Sequence, residues 1–511
     1  MLQRLAFDRP HPLHDAAATR RLEAAASSSS PAHTLMQRAG AAVARLAEAI
    51  APHAGTIWLA CGPGNNGGDG LEAAARLHRA GRRVVVSWAG RPETAPADAL
   101  ASWQRARDAG VPFQDDAPTN LGPHDLCIDA LLGIGLSADR QARAPRADLL
   151  RLLNRLRTST APVLCVDVPS GLIADTGQFA PGLAPDASPT RPASPRQTLS
   201  LLTLHPGLFT GLGRDEAGPI WFDDLGATSM QERPAAWLSA PARPSPRAHA
   251  SHKGSHGDVA VVGGEGLSAR GMGMTGAALL AASAALHGGA GRVMLCLLDG
   301  GALQADLLQP ECMLRRFDAL ALERATVVCG CGGGQAVRAV LPEVLQRARR
   351  LVLDADALNA VAEDPALQEQ LGRRADRHGS GATVITPHPL EAARLLGSDT
   401  GSVQADRLQA ATALTRRYRC AVVLKGSGSV VATPGQTPRV NPTGNGLLAT
   451  GGTGDVLAGL LGATLAAMPE DEADAAFKAA LRACWMHGAA ADAWPAGQAL
   501  TASTLARALR P

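Results

Sequence analysis

The chain has 511 residues, of which 46% are hydrophobic and 19% are charged. A chain of this length corresponds to about two to four domains, and its apolar content is ample for their cores. The net charge of only +3 excludes an electrostatic argument for nucleic acid or a membrane as the main partner. The N-terminus lacks an apolar signal core, and the apolar run 456–468 is shorter than the roughly 20 residues that cross a bilayer. We therefore expect a cytoplasmic protein.

The nine cysteines are scattered along the chain, and no CxxC pair occurs. Several of them lie inside apolar runs such as VLCVDV. This usage argues against a disulfide framework and against a zinc site. It is typical of small buried side chains in a reducing compartment.

Strand-like apolar runs alternate with helical patterns in two long stretches. The first stretch, from about residue 15 to about 225, holds TIWLAC, RRVVVSWAG, DLCIDALLG and PVLCVDVPSG, and the second begins at GDVAVVGG. Such alternation predicts the α/β class, with mainly parallel sheets covered on both faces. A proline-rich segment separates the stretches. We predict a domain at 1–230, a linker at 231–253 and a domain at 254–511, with a surface loop at 179–197 inside the first domain.

The first cluster of polar and glycine residues is CGPGNNGGDG, residues 61–70, which follows a strand and opens a helix. Its glycines permit a close approach of backbone to ligand, and helix N-terminal amides favour an anion such as a pyrophosphate. Asn65, Asn66 and Asp69 add polar groups at the same point. The alternative is a tight turn whose Asn and Gly residues serve only turn geometry.

Two further carboxylates follow strands in the first domain. Asp129 ends LCID, and Asp167 ends LCVD and is followed by Ser170 in VPSG. In open α/β sheets, ligands bind outside the carboxyl ends of the strands. We therefore expect these groups to meet Asn66 in one crevice, where oxygen atoms suit a hard cation or proton transfer. The alternative is that each Asp caps the next helix or turn.

The second domain contains NGLLATGGTGDVLAGLLGA, residues 445–463. Its glycines lead into a helix whose N-terminal amides can stabilise charge on a transferred phosphoryl group. Asp455, in the first turn, is placed to accept a proton from a substrate hydroxyl. The alternative is an N-terminal Asp that only stabilises the helix dipole.

Other polar groups of this domain also follow strands. They are Lys425 in VLKGSGSVV, His388 and Glu391 in TPHPLEAARLL, Asp354 and Asp356 in LVLDADALN, and the glycine loop 330–334. A lysine beside exposed amides suits a nucleotide phosphate. Each also has an ordinary explanation: a solvated lysine at a hairpin, a surface histidine with a helix-start glutamate, turn-forming aspartates and a βα turn.

The motifs LMQRAG, GPGNNGGDG, DALLGIGLSAD and DVPSGLIADTG, in this order and spacing, resemble the NAD(P)H-hydrate epimerase domain. The resemblance implies a Rossmann-like three-layer α/β/α sandwich, Asp167 as the acid/base, and a potassium ion held by Asn66, Asp129 and Ser170. His205, in LHPGL, stands where the family usually has lysine. The substrate-lining residues that the resemblance implies, besides Asp167, are Asn65, Asn66, Gly67, Gly68, Asp69, Gly133, Ile134, Gly135, Leu136, Ser137, Ala138 and Asp139.

The second set of motifs comprises TGAALLAASAALHGGAG, PEC, GCGGGQ, DADALN, TPHPLEAARLLG, VLKG and GGTGDVLAG, and it resembles the NAD(P)H-hydrate dehydratase domain. The resemblance implies a ribokinase-like fold, and phosphorylation of the ring hydroxyl by ADP or ATP with magnesium, followed by loss of phosphate. Asp455 would be the base. The implied hydrate-binding residues are Ala277, Gly334, His388 and Asp455, and the implied nucleotide-binding residues are Lys425, Gly426, Ser427, Gly428, Ser429 and Gly454. The sequence departs from the family in lacking an aromatic residue before TGA and in having CGCGGG where PGLG-like residues are usual.

The two implied activities complement each other, because an epimerase converts the epimer that a stereospecific dehydratase cannot use into the one that it can. The expected partners are hydrated NADH and NADPH with ADP or ATP, and helices of small residues lead us to expect a homo-oligomer. Two alternatives stay open at this point. One is a ribokinase-like kinase for a vitamin precursor with a fused regulatory domain, and the other is a non-catalytic binding module in the first half.

Overall fold

The computed structural model describes residues 2–138, 145–185, 194–227, 232–242, 247–301 and 303–510. The chain forms two compact units, one made of Met1–Ala6 and His11–Ala236 and the other of Phe7–Pro10 and Trp237–Pro511. The division lies inside the segment predicted as a linker, 231–253. Part of that segment forms a strand, and the exact domain boundaries stay predictions.

The first unit contains eight strands and six α-helices among its described residues. The strands are β1 (Gln3–Arg4), β2 (His11–Leu13), β3 (Ile57–Cys61), β4 (Val84–Trp88), β5 (Leu126–Ala130), β6 (Val163–Val166), β7 (Arg196–Leu201) and β8 (Ile220–Asp223). The helices are α1 (Ala16–Ser28), α2 (Thr34–Ile50), α3 (Asn65–Arg79), α4 (Ala97–Asp108), α5 (Ala147–Thr158) and α6 (Gly213–Ala217).

The sheet of this unit has the order β1-β8-β7-β6-β5-β3-β4, and only the β1–β8 pair is antiparallel. Every residue of β3 is buried, which is why this strand reads as a continuous apolar run. Its residues alternate between two cores: Ile57 and Leu59 pack in one, and Trp58 in the other. Cores on both faces of a parallel sheet make the three-layer arrangement that was predicted.

The second unit contains the remaining strands and helices. Its strands are β9 (Ala236–Leu238), β10 (Asp258–Gly263), β11 (Arg292–Leu297), β12 (Met313–Leu314), β13 (Thr326–Cys329), β14 (Arg350–Leu353), β15 (Thr383–Ile385), β16 (Ala421–Leu424), β17 (Val430–Ala432) and β18 (Arg439–Val440). Its helices are α7 (Leu267–Arg270), α8 (Thr275–His287), α9 (Val337–Arg347), α10 (Asp356–Glu363), α11 (Pro365–His378), α12 (Pro389–Leu396), α13 (Thr400–Ala405), α14 (Arg407–Tyr418), α15 (Thr453–Ala466), α16 (Ala475–Asp492) and α17 (Ala502–Ala508).

Strands of the second unit follow the order β12-β11-β10-β13-β14-β15-β16-β17-β18-β9. The pairs from β12 to β16 are parallel, and β16–β17 and β17–β18 are antiparallel. Helix α15 approaches α8 closely, because a Cβ atom at Gly459 would lie only 1.9 Å from the carbonyl oxygen of Ala281. The predicted α/β class and two-part organisation are confirmed.

Burial is the common property of the cysteines. All nine are free and buried. This agrees with their interpretation as small apolar side chains. Within the described part of the chain, no helix is both long enough and apolar enough to span a bilayer.

Candidate active sites

A cavity of about 450 Å³ lies at the carboxyl ends of the first sheet. It brings together groups that the sequence places far apart, because β3, β5 and β6 are neighbours and end at the same edge. Of the predicted substrate-lining residues, those in contact with this cavity are Asn65, Asn66, Asp69, Gly133, Ile134, Gly135, Leu136 and Asp167. Helix α1 adds Arg20 and Glu23, which sequence reasoning missed because α1 carries none of the recognised motifs.

The other predicted lining residues have different positions. Gly67 and Gly68 are buried in the first turn of α3 and are not among the residues that line the cavity. A Cβ atom at Gly67 would lie 2.0 Å from the carbonyl oxygen of Gly62, so this glycine permits tight packing of the turn. Ser137 and Ala138 also lie outside the lining, and Asp139 lies outside the described residues.

The predicted metal ligands Asp129 and Ser170 are in direct contact. The Ser170 hydroxyl donates to Asp129 Oδ1 over 2.5 Å, and the Ser170 amide donates to Oδ2 over 3.0 Å. The Leu132 amide donates to Ser170 Oγ over 2.8 Å. Asn66 lies beside Gly133, the residue after Leu132, since a Cβ atom at Gly133 would be 3.2 Å from the Asn66 Cγ. The side-chain oxygen and nitrogen of Asn66 are buried without a hydrogen-bond partner among the described residues.

Asp167 has a left-handed backbone conformation, with φ of +68°. Asp and Asn tolerate this region better than other residues with side chains, and such strain persists where the surroundings enforce it. The turn directs the carboxylate into the cavity, and only 15% of its side chain is exposed. Its Oδ1 lies 3.5 Å from Nε2 of His205, whose side chain is fully buried.

Several carboxyl groups line this cavity, and negative charges on them repel one another. Burial and the nearby Asp167 raise the pKa of Asp69 well above its usual value. Burial, Asp167 and Asp98 likewise raise the pKa of Glu23. Asp69 and Glu23 therefore each hold a proton to a higher pH than an exposed carboxyl group does.

In the second unit, Asp455 lies in the first turn of α15. The helix N-terminus is held by the Thr453 hydroxyl, which donates to the Leu448 carbonyl over 2.8 Å, and by the Thr453 carbonyl, which contacts His487 Nε2 at 2.9 Å. Burial and the charge of Asp354 raise the pKa of Asp455 to about 6, against the opposing effects of Cys331 and Lys425. Asp455 is thus a carboxylate at neutral pH with more basicity than an exposed one.

Lys425 is the cation of this site. Its Nζ donates to Asp354 Oδ1 over 2.5 Å and lies 3.9 Å from Glu391 Oε2. Burial acts to lower the pKa of Lys425, but the two carboxylates outweigh it and the pKa is raised. A Cβ atom at Gly454 would be 3.6 Å from Nζ. The lysine therefore stands beside the N-terminus of α15, where both attract an anion.

His388 is the N-cap residue of α12. Its Nδ1 accepts hydrogen bonds from the amides of Leu390 and Glu391 over 3.1 and 3.3 Å. The His388 amide in turn donates to Glu391 Oε2. Burial and Lys425 lower the pKa of His388, so the ring is neutral at neutral pH. Because Nδ1 is an acceptor, the proton is on Nε2, which lies 3.4 Å from Glu391 Oε1 in a half-exposed ring.

Arg407 holds the loop that is predicted to bind nucleotide, Lys425 to Ser429, through hydrogen bonds to its backbone. This buried guanidinium donates to the carbonyls of Leu424, Lys425 and Gly428. A Cβ atom at Gly426 would be 2.9 Å from it, and Gly426 has φ of +135°. Sequence reasoning missed Arg407, since it lies in a helix with no motif.

Replacing Arg407 with methionine should destabilise the second unit and raise the KM for nucleotide. The variant leaves buried carbonyls without donors, at a cost of about 1–3 kcal/mol in the free energy of unfolding. Urea denaturation and the nucleotide dependence of turnover measure both effects. Arg416→Met, which removes an exposed arginine of the same helix, is the matched control. Equal results for the two variants would contradict the supporting role.

The two remaining predicted hydrate contacts lie in the same region. The Gly334 amide donates to Asp356 Oδ2 over 2.8 Å. A Cβ atom at Gly334 would be 2.2 Å from Glu265 Oε2, so only glycine fits here. Ala277 is at the start of α8, and a Cβ atom at Gly332 would be 2.9 Å from the Ala277 Cβ. The glycine loop therefore adjoins α8 and the residues around Asp356.

Glu265 is a second residue of this unit that sequence reasoning missed. Its buried carboxylate accepts from the amides of Gln335 and Ala336 and from Arg270, and these bonds, the one from Arg270 first, lower its pKa. It therefore fixes the glycine loop and orients a partly exposed arginine beside it.

Two family models match the chain. One, described as NAD(P)H-hydrate dehydratase, matches residues 261–510, and the other, described as YjeF-related protein N-terminus, matches residues 32–207. A crystal structure of the ADP/ATP-dependent NAD(P)H-hydrate dehydratase from Bacillus subtilis, co-crystallized with ATP/Mg2+, is 26% identical. It covers 53% of this chain and 92% of its own, with a TM-score of 0.40.

Curated relatives match over nearly the whole length. The bifunctional NAD(P)H-hydrate repair enzyme Nnr of Escherichia coli (strain K12) is 35% identical over 481 residues, which cover 90% of this chain and 85% of that protein. The enzyme of the same name from Gloeobacter violaceus is 36% identical over 531 residues, which cover 97% and 96%. Such similarity across both units shows that the chain belongs to the family of bifunctional NAD(P)H-hydrate repair enzymes.

Proposed function

We propose that the chain repairs hydrated NADH and NADPH: the first unit interconverts the R and S epimers, and the second dehydrates the S epimer at the expense of ADP or ATP. The observation that carries this proposal is the arrangement around Asp455. A carboxylate of raised pKa, a partly buried lysine and a helix N-terminus stand together in a chain whose relatives are bifunctional repair enzymes.

Dehydration is proposed to proceed in two stages. Asp455 accepts the proton of the ring hydroxyl. The hydroxyl oxygen bonds to the terminal phosphorus of the nucleotide, and the bond between that phosphorus and the nucleotide's bridging oxygen breaks. Lys425 and the N-terminal amides of α15 balance the negative charge of the transferred group. Phosphate then leaves with the electrons of the carbon–oxygen bond, a proton is lost from the neighbouring ring carbon, and the reduced cofactor is restored. Phosphate is a far better leaving group than hydroxide.

Epimerisation is proposed to use Asp167 as the acid/base beside the hydrated carbon. The raised pKa of Asp69 supports a role for that group as a proton holder beside Asp167. Both line the same cavity, together with the glycine-containing segment 133–136.

Potassium is proposed to bind between Asn66, Asp129 and Ser170. The buried, unpartnered amide oxygen of Asn66 supports this, because an unsatisfied buried acceptor is costly and a cation would satisfy it. The Asp129 carboxylate supplies the negative charge that a buried cation needs. Bound there, the ion would order the loop after β5 and attract the anionic part of the substrate.

Replacing choline chloride with potassium chloride should raise the melting temperature of the first unit of the wild-type protein. Binding to the folded state alone stabilises that state by mass action. Asn66→Ala should abolish the shift; choline chloride matches the ionic strength, and sodium chloride serves as the control for the identity of the cation. A shift of equal size in the variant would contradict this placement of the ion.

Magnesium has no dedicated set of protein ligands in the described residues near Asp455. The potential ligand atoms of Cys331, Asp354 and Asp455 lie within 4.8 Å of one another, but a thiol does not suit magnesium and Asp354 is paired with Lys425. We therefore propose that the ion arrives with the nucleotide, held mainly by phosphate and water oxygens. A homo-oligomeric state and a cytoplasmic location remain part of the proposal.

The deciding experiment is recovery of dihydronicotinamide absorbance from an equilibrated mixture of hydrated NADH epimers. The wild-type protein is supplied with ADP or ATP, magnesium and potassium. Full, rapid and nucleotide-dependent recovery supports both activities. No recovery with either nucleotide would overturn the repair function and favour the kinase with a non-catalytic first half.

A further inference from the structure

His205 lies immediately behind the Asp167 carboxylate. Its side chain is fully buried, and its Nε2 is 3.5 Å from Asp167 Oδ1. The ring is not among the groups that line the cavity, whereas Asp167 is. The Asp167 carboxylate therefore connects the His205 ring to the cavity.

The position of one proton on this ring follows from its hydrogen bond. Nδ1 lies 3.1 Å from the carbonyl oxygen of His14, and a carbonyl can only accept, so Nδ1 carries a proton. The His14 amide in turn donates to the Leu204 carbonyl over 2.8 Å. The backbone on both sides therefore holds the ring with Nε2 towards Asp167.

The second ring nitrogen then has only two stable arrangements. A bare Nε2 lone pair facing a carboxylate is repulsive, and apart from Asp167 the described residues offer Nε2 no hydrogen-bond partner. The contact is attractive only when a proton lies on Nε2 or on Asp167. The two groups thus hold one proton between them, besides the proton on Nδ1.

We propose that His205 is a positioning residue: through the shared proton it holds Asp167 as a fixed carboxylate facing the substrate, and epimerisation requires that proton. The proposal rests on the epimerase activity proposed above for the first unit.

The charges around His205 set the pH range in which the proton is kept. Burial acts to lower the pKa of His205, but Asp167 outweighs it, helped by the His14 carbonyl and by Asp175, and the pKa is raised. The other titratable ring that faces it, His14, has a lowered pKa because of burial and His205 itself. His205 therefore keeps its proton to a higher pH than an ordinary histidine does, and it loses that proton as the pH rises.

The test is the pH profile of epimerisation, followed by chromatographic separation of the two epimers without nucleotide. In the wild-type protein kcat/KM should fall as the pH rises through the pKa of the pair. His205→Lys should move the fall to higher pH, because an ordinary lysine pKa lies about 4 units above that of histidine. His205→Gln should remove the fall and lower the rate about tenfold or more.

The outcomes separate this inference from the proposed function. An alkaline fall at the same pH in all three proteins would overturn the role of His205. A wild-type protein that epimerises at no pH would overturn the epimerase activity itself.

Because His205 is buried, a second measurement avoids substituting it. Nitrogen NMR of histidine-labelled protein should show one ring that loses its proton at a higher pH in the wild type than in Asp167→Asn. The absence of any histidine signal that changes in this way would also overturn the inference.

Discussion

Asp455→Asn should lower the rate of nucleotide-dependent dehydration by a factor of about 10²–10⁴, the range typical of a lost general base. The amide has nearly the same shape as the carboxylate but cannot take the proton of the substrate hydroxyl. The effect should appear in kcat, because Lys425 and the α15 amides that attract the nucleotide remain. Single-turnover recovery of absorbance from the pure S epimer measures it.

The matched control is Asp399→Asn, which makes the same change at the exposed N-cap of α13 in the same unit. Asparagine is an equally good N-cap residue, so this variant should keep wild-type activity. A wild-type rate for Asp455→Asn would contradict the assignment of the base. The pH profile of dehydration by the wild-type protein offers an independent check. The value of kcat/KM should fall tenfold per pH unit below about 6, where Asp455 becomes protonated.

Asp167→Asn should lower the rate of epimerisation by a similar factor of about 10²–10⁴. Asparagine tolerates the left-handed backbone at this position, so the substitution removes the charge without adding strain. With the equilibrated epimer mixture, recovery should proceed at the wild-type rate until the usable epimer is consumed. It should then slow to the rate of spontaneous epimerisation.

Mixing the two variants provides the sharpest control. Asp455→Asn retains the first site and Asp167→Asn retains the second, so together they should restore full recovery by exchanging free epimers. Asp215→Asn, at an exposed position of α6, controls for the chemical change. A stall that persists in the mixture would contradict the assignment of Asp167 to epimerisation alone.

The alternation of buried strands and helices could be predicted because it depends on local patterns. A run such as IWLAC is buried on both faces, so every position is apolar and the strand is visible in the sequence. The proline-rich segment was harder to interpret. Ala236–Leu238 pairs with Arg439–Val440, about 200 residues away, and no local signal specifies such a partner.

For the sites, too, some features could be predicted from the sequence and others could not. The sequence by itself determined the α/β class, the family and the motifs that carry Asn66, Asp167, Lys425 and Asp455, because glycine-rich turns at strand ends are local features. The roles of those site residues stay predictions until the variants are measured.

Only the tertiary structure decided which groups face one another. Lys425 meets Asp354 across 71 positions of sequence, Arg407 supports the Lys425 loop, and His205 is placed behind Asp167. These contacts fix charge and basicity, because a buried group's pKa depends on the few charges that surround it in space. Spacing along the chain contains no information about those distances, so the proton-holding pair at Asp167 and the raised pKa of Asp455 follow from the fold alone.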